Sequence, residues 1–147
     1  MLQSNKKKVL FLCTGNACRS QMAEGWSKAL MNEHVEAYSA GIETHGLNPH
    51  AVAVMAEAGI DISKHQSKNI ADLSDVHFDV IYTVCDHANQ SCPSFTATTK
   101  VVHTPFDDPP KLAEHATDEE SKLDCYRQVR DEIKQFVESM SASTALN

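Results

Sequence analysis

Long apolar runs are missing from this chain. The longest one near the N-terminus, residues 9–13, is too short for the core of a signal peptide and far too short to cross a bilayer. Basic charge is scarce too: 13 Lys and Arg stand against 20 Asp and Glu, for a formal net charge of −7. Such a field repels a polyanion, which argues against nucleic-acid binding. Internal repeats and low-complexity linkers are absent, and the eight histidines form no chelating motif or acid/base triad. The expectation is a cytoplasmic protein, working as a monomer without a membrane or nucleic-acid partner. If the ligand is nonetheless a small anion, a local device of backbone N–H groups and one or two cations must attract it.

What is present fits one globular domain. A length of 147 residues with 41% hydrophobic content supports a single core, predicted to span residues 1–140 with a frayed tail at 141–147. Five cysteines without a secretory signal imply a reducing compartment, where thiols are more often catalytic, redox-active or metal-binding than structural. The continuous apolar run 9–12 reads as a strand buried on both faces of a parallel sheet. Residues 19–32 read as a helix with Met22, Ala23, Trp26, Ala29 and Leu30 on its buried face. A short strand is expected at 34–39. A helix capped by Asn48 and Pro49 should then run to Gly59, burying Val52, Met55 and Ala56. Strands at 78–85 and 100–103 follow, and a long helix at 118–140 places Leu123, Tyr126, Val129, Ile133, Phe136, Val137 and Met140 on one side. This alternation predicts an α/β domain with a parallel sheet and a ligand site at the carboxyl ends of its strands.

The strongest local signal lies between the first strand and the first helix: Cys13, Thr14, Gly15, Asn16, Ala17, Cys18, Arg19, Ser20. A strand, a short loop and a helix N-terminus aim successive N–H groups at one point, where the helix dipole adds positive potential. A tetrahedral dianion suits that point. Gly15 and Asn16 are expected to supply the left-handed conformations of a concave loop. Arg19 is suited to a bidentate contact with two anion oxygens. Cys13, in the same electropositive nest, is expected to be a thiolate nucleophile. Ser20 either donates its hydroxyl proton to that sulfur or caps the helix, and Cys18 is expected to pack.

With these residues on view, the chain resembles the low-molecular-weight tyrosine phosphatases and the thioredoxin-coupled arsenate reductases that share their fold. Both carry a loop like CTGNACRS followed by MAE, here Met22, Ala23 and Glu24. The likeness to the reductases extends through SAGIETHGLNP, GIDIS, FDDP and QVRDEI. It implies a four-stranded parallel sheet with helices on both faces, arsenate as substrate and no resident cofactor. It also implies a relay in which Cys13 attacks arsenate, Cys85 attacks the adduct to release arsenite, and Cys92 resolves the Cys13–Cys85 disulfide for thioredoxin. If the segment joining Cys85 and Cys92 were helical, the two would stand about 10 Å apart, whereas a disulfide needs Cα atoms within about 4.4–6.8 Å. The segment is therefore expected to unwind on oxidation.

By the same resemblance Asp108, directly before Pro109, is the general acid, with Asp107 bracing the loop. Pro110 and Lys111 replace the aromatic walls that a phosphotyrosine would need. Some of the reductases bind a potassium ion. Asn16, Glu24 and Ser39 match three of its ligands, but Lys68 stands where an aspartate is expected, and its ammonium could substitute for the ion. Two other readings stay open: a phosphatase using Cys13 alone, and a zinc or redox-sensing protein with Cys85, His87 and Cys92 as ligands. Cys125 and Trp26 are expected to pack in the core.

Overall fold

The computed structural model describes residues 6–86, 88 and 98–140. The tail at 141–147, His87, Cys92 and most of the segment expected to unwind lie outside the described residues.

Strands β1 (Lys7–Cys13), β2 (Val35–Gly41), β3 (Val80–Thr83) and β4 (Lys100–His103) form one parallel sheet in the order β2-β1-β3-β4. Helices α1 (Arg19–Leu30), α2 (Pro49–Glu57), α3 (Pro109–Leu112) and α4 (Glu119–Ser139) lie on its two faces. The apolar run that marks β1 has a simple cause. This strand is central and covered on both sides, so Val9, Leu10, Phe11 and Leu12 are all fully buried. Each such side chain contributes about 1.5–3 kcal/mol by leaving water. Phe11 also stacks on Tyr82 of β3 with ring centroids 5.6 Å apart.

Two predicted helix faces need correction. Helix α1 is buried from Ser20 to Ser27, but its last turn is exposed, Ala29 and Leu30 included. Helix α2 buries Ala51, Val54 and Met55, keeps Val52 partly buried against the core and leaves Ala56 exposed. Its apolar positions surround the helix almost evenly, so periodicity alone could not choose the inward ones. The α2 start is as expected: Asn48 accepts from the backbone N–H groups of His50 and Ala51, a cap worth about 1 kcal/mol. In α4 the predicted stripe holds, with Tyr126, Val129, Ile133 and Val137 buried. Trp26 packs against this helix and donates its indole N–H to the Arg130 carbonyl at 3.1 Å. Cys125, on the flank, is partly buried against the same core.

Chain direction decides where a ligand fits. From β1 the chain moves to β2 on one side, and it later returns to place β3 on the other. The loops leaving β1 and β3 therefore diverge, opening a crevice at the carboxyl ends of these two neighbours. Cys13 ends β1, and Cys85 follows β3 by two residues. Strand β3 stops short of the predicted residue 85. Even so, Val84 N–H still reaches the Leu12 carbonyl at 2.9 Å, which keeps Cys85 beside the end of β1.

Candidate active site

The loop at residues 13–20 gains its shape from outside. Every carbonyl from Cys13 to Cys18 accepts a hydrogen bond directed away from the loop's concave side. The donors are the N–H groups of Ile42 (3.1 Å), Glu43 (2.9 Å) and His45 (3.0 Å) to Cys13, Thr14 and Gly15, then the Gln21 side chain to Asn16, Asn48 N–H (2.9 Å) to Ala17 and Met22 N–H (2.9 Å) to Cys18. Across a trans peptide the N–H points opposite to the carbonyl, so the loop's N–H groups face inward together. They converge on a cavity of 290 Å³ lined by Cys13, Thr14, Gly15, Ala17, Cys18, Arg19, His45, Asn48, Asp108 and Pro110. This is an anion nest at a helix N-terminus.

Gly15 serves the nest differently from expectation. Of the two loop residues only Asn16 has a left-handed backbone, with φ 49°. Gly15 matters because the His45 ring occupies the space of a side chain: an added Cβ would lie 2.9 Å from His45 Cβ and nearer still to the ring. Gly41, at the end of β2, is confined more severely. Its Cβ would meet the Glu43 and Thr14 carbonyl oxygens and the Asn16 backbone nitrogen, the last two at 2.7 and 2.8 Å. Backbone cannot swing aside, so Gly41→Ala is expected to lower stability by about 1–3 kcal/mol and to weaken anion binding with it. Urea denaturation and phosphate titration of the same variant check both effects.

Asn16 and Ser20 stand behind the cavity wall, both fully buried. Asn16 Nδ2 donates to Ser20 Oγ at 2.9 Å, while its Oδ1 accepts from Gln21 Nε2 at 3.0 Å and from Lys68 N–H at 2.7 Å. Ser20 makes no cap: the N-cap position is Cys18, without a side-chain capping bond. Ser20 Oγ, as an acceptor from Asn16, keeps its own proton to donate. Cys18 is buried, and burial pushes its thiol up to about 12, so it is an inert thiol in the cavity wall.

Arg19 spans the mouth. Its Nη1 donates to the Phe106 carbonyl at 3.0 Å, and Nη2 lies 3.7 Å from Asp108 Oδ1. Its Nε is buried and has no partner among the described residues, an open donor of the kind that an anion oxygen satisfies. Asp108 faces the cavity, whereas Asp107 is exposed and takes no part in the lining.

The two sulfurs depart from the simplest expectation. Cys13 and Cys85 are hydrogen-bonded to each other, and Thr14 Oγ1 lies 3.2 Å from Cys85 Sγ. Ala88 N–H reaches the same sulfur at 3.4 Å. Two adjacent sulfurs cannot both carry charge cheaply. The bond from Cys13, with help from Thr14, Ala88 and Arg19, lowers Cys85 to about 5. The bond to Cys85, then burial, raises Cys13 well above its usual value, although Arg19 pulls it down. These influences favour negative charge on Cys85 over Cys13, a coupling between the two thiols that the sequence expectation of a Cys13 thiolate did not include. Spacing cannot reveal this, because the pair is 72 residues apart in the chain and meets only in the fold.

The expected cation site is also different. Glu24 is buried, accepts from the Ser39 hydroxyl and pairs with Lys28 one turn along α1. Lys68 Nζ instead binds the Gln66 carbonyl at 3.0 Å. Lys28, not Lys68, neutralises this carboxylate. With Asn16 Oδ1 already accepting two N–H groups, the residues fit a satisfied polar network rather than a potassium cage. Of the zinc reading's ligands, His87 and Cys92 lie outside the described residues. His45 and Asn48 are cavity residues that the sequence reading did not assign to the site; both lie in the SAGIETHGLNP stretch, which was the available signal.

Comparison with known proteins follows the same lines. Residues 8–147 match the family described as low molecular weight phosphotyrosine protein phosphatase. An arsenate reductase of Halalkalibacterium halodurans is 47% identical over 137 residues, covering 93% of this chain and 96% of the relative. One from Bacillus licheniformis is 49% identical over 140 residues, covering 92% and 98%. Among solved structures, an arsenate reductase in its oxidized state superposes with a TM-score of 0.76 at 31% identity, covering 92% of this chain and 97% of that one.

Proposed function

This chain belongs to the low-molecular-weight phosphotyrosine protein phosphatase family, and on that premise we propose that it is an arsenate reductase in which Cys13 captures the oxyanion and Cys85 expels it as arsenite. The observation that carries this reading is the second thiol, Cys85, whose sulfur lies 3.2 Å from Thr14 Oγ1 of the anion loop and next to Cys13. A phosphatase clears its intermediate with water and has no use for it.

In the proposed sequence, the proton shared by the sulfurs moves first from Cys13 to Cys85. The Cys13 thiolate attacks arsenic while an As–O bond breaks, and Asp108 protonates the departing oxygen, which leaves as water. The loop N–H groups and Arg19 hold the negative charge that builds on the other oxygens. Cys85 then loses its proton and attacks Cys13 Sγ. The S–S bond forms, the As–S bond breaks with its electron pair staying on arsenic, and As(V) becomes As(III). The two sulfurs supply the two electrons. Cys92 and thioredoxin would complete the relay by thiol–disulfide exchange.

Arg19→Lys keeps the charge but loses the fork, so kcat/KM for arsenate is expected to fall about 10²-fold. The whole reading is tested by steady-state arsenite production with thioredoxin, thioredoxin reductase and NADPH. Wild-type turnover that stops in separate Cys13→Ser, Cys85→Ser and Cys92→Ser variants supports it. Turnover of an aryl phosphate that only Cys13→Ser abolishes, with no arsenite formed by the wild type, would instead establish a phosphatase.

A further inference from the structure

The turn that carries Cys85 out of β3 is gripped from the neighbouring strand. His103, the last residue of β4, has Nε2 2.9 Å from Asp86 Oδ1. Its Nδ1 lies 3.0 Å from Thr83 Oγ1 and 3.2 Å from the Thr83 carbonyl oxygen. A carboxylate only accepts, so Nε2 carries a hydrogen. In the neutral ring Nδ1 accepts from the Thr83 hydroxyl, and in the imidazolium Nδ1–H donates to the Thr83 carbonyl. Either way, one rigid ring bridges the last residue of β3 and the residue directly after Cys85.

That bridge matters for direction. Thiolate attack on a sulfur must come in line with the bond that breaks, and a misplacement of about 1 Å costs roughly 10²-fold in rate. Cys85 Sγ is already steered from one side by Thr14 Oγ1 and Ala88 N–H. His103 holds Thr83, through its hydroxyl and carbonyl, on one side of Cys85 and the Asp86 carboxylate on the other. We infer that His103 is a positioning residue for the second chemical step, bridging Thr83 and Asp86 so that Cys85 Sγ faces Cys13. This inference rests on the reductase reading above.

The test uses the full-length reduced enzyme without a reductant. Rapid quench measures the arsenite burst of one turnover, and calorimetry measures the affinity for inorganic phosphate, which occupies the anion nest without being reduced. His103→Ala is expected to slow the burst about tenfold with phosphate affinity unchanged within about twofold. Asp86 is exposed, so Asp86→Ala folds whatever His103→Ala does, and it is expected to slow the burst several-fold. The double variant should be no slower than His103→Ala, because both changes break one bridge. A wild-type burst rate in Asp86→Ala, or equal losses of phosphate affinity and burst rate in both variants, would overturn the positioning role while leaving the reductase reading intact. A wild-type enzyme that binds phosphate but releases no arsenite would overturn both.

Discussion

Cys85→Ser is expected to bind arsenate as the wild type does and to release essentially no arsenite, a loss of at least about 10³-fold in a single turnover. The anion nest is built from backbone carbonyls tied outward and from Arg19, and Cys85 is absent from the cavity lining. Binding should therefore survive. The second step should not, because serine cannot donate the electrons that take arsenic to As(III). A second readout follows from the shared proton. The bond to Cys85 is the largest influence raising Cys13, and Arg19 lowers it. Removing the Cys85 sulfur thus lets the Cys13 pKa fall, so the pH at which iodoacetamide alkylates Cys13 half-maximally should move down. An upward or absent shift would count against the sulfur pair as described.

Cys13→Ala is expected to remove reduction altogether, to the uncatalysed background, since no adduct forms for Cys85 to attack. Phosphate affinity should hold, because the substitution leaves the loop backbone and Arg19 in place. Here the sign for the partner is opposite. The bond from Cys13 is the main influence holding Cys85 at about 5, so its loss raises Cys85 toward the ordinary thiol range. Near pH 6.5 the wild type should show one equivalent of thiolate absorbance at 240 nm, and Cys13→Ala should lose most of it. Retention of the full signal would place the resting thiolate elsewhere.

How much of this was legible in the sequence depended on which physics each feature obeys. The β1 run and the α4 stripe were readable because burial on two faces or on one imposes a period. The oxyanion loop was readable because a nest needs a Cys, an Arg and permissive residues within eight positions. The burial of α2 was not, since apolar residues surround that helix and only its neighbours select Ala51, Val54 and Met55. Gly15 looked like a conformational residue and proved to be a vacant side-chain position filled by His45, a contact between segments that no local pattern encodes. Likewise Lys28, one helical turn from Glu24, was available as an i, i+4 pair. The proton shared by Cys13 and Cys85 depends on tertiary contact and lay beyond any reading of spacing.

The central claim is that Cys85 attacks the Cys13 adduct. The most direct measurement is thiol mapping by mass spectrometry after one arsenate turnover of Cys92→Ser, in which the relay cannot pass beyond its first disulfide. One arsenite per enzyme and a Cys13–Cys85 disulfide are expected, with Cys18 and Cys125 still free. One arsenite released while Cys85 remains a free thiol would contradict it.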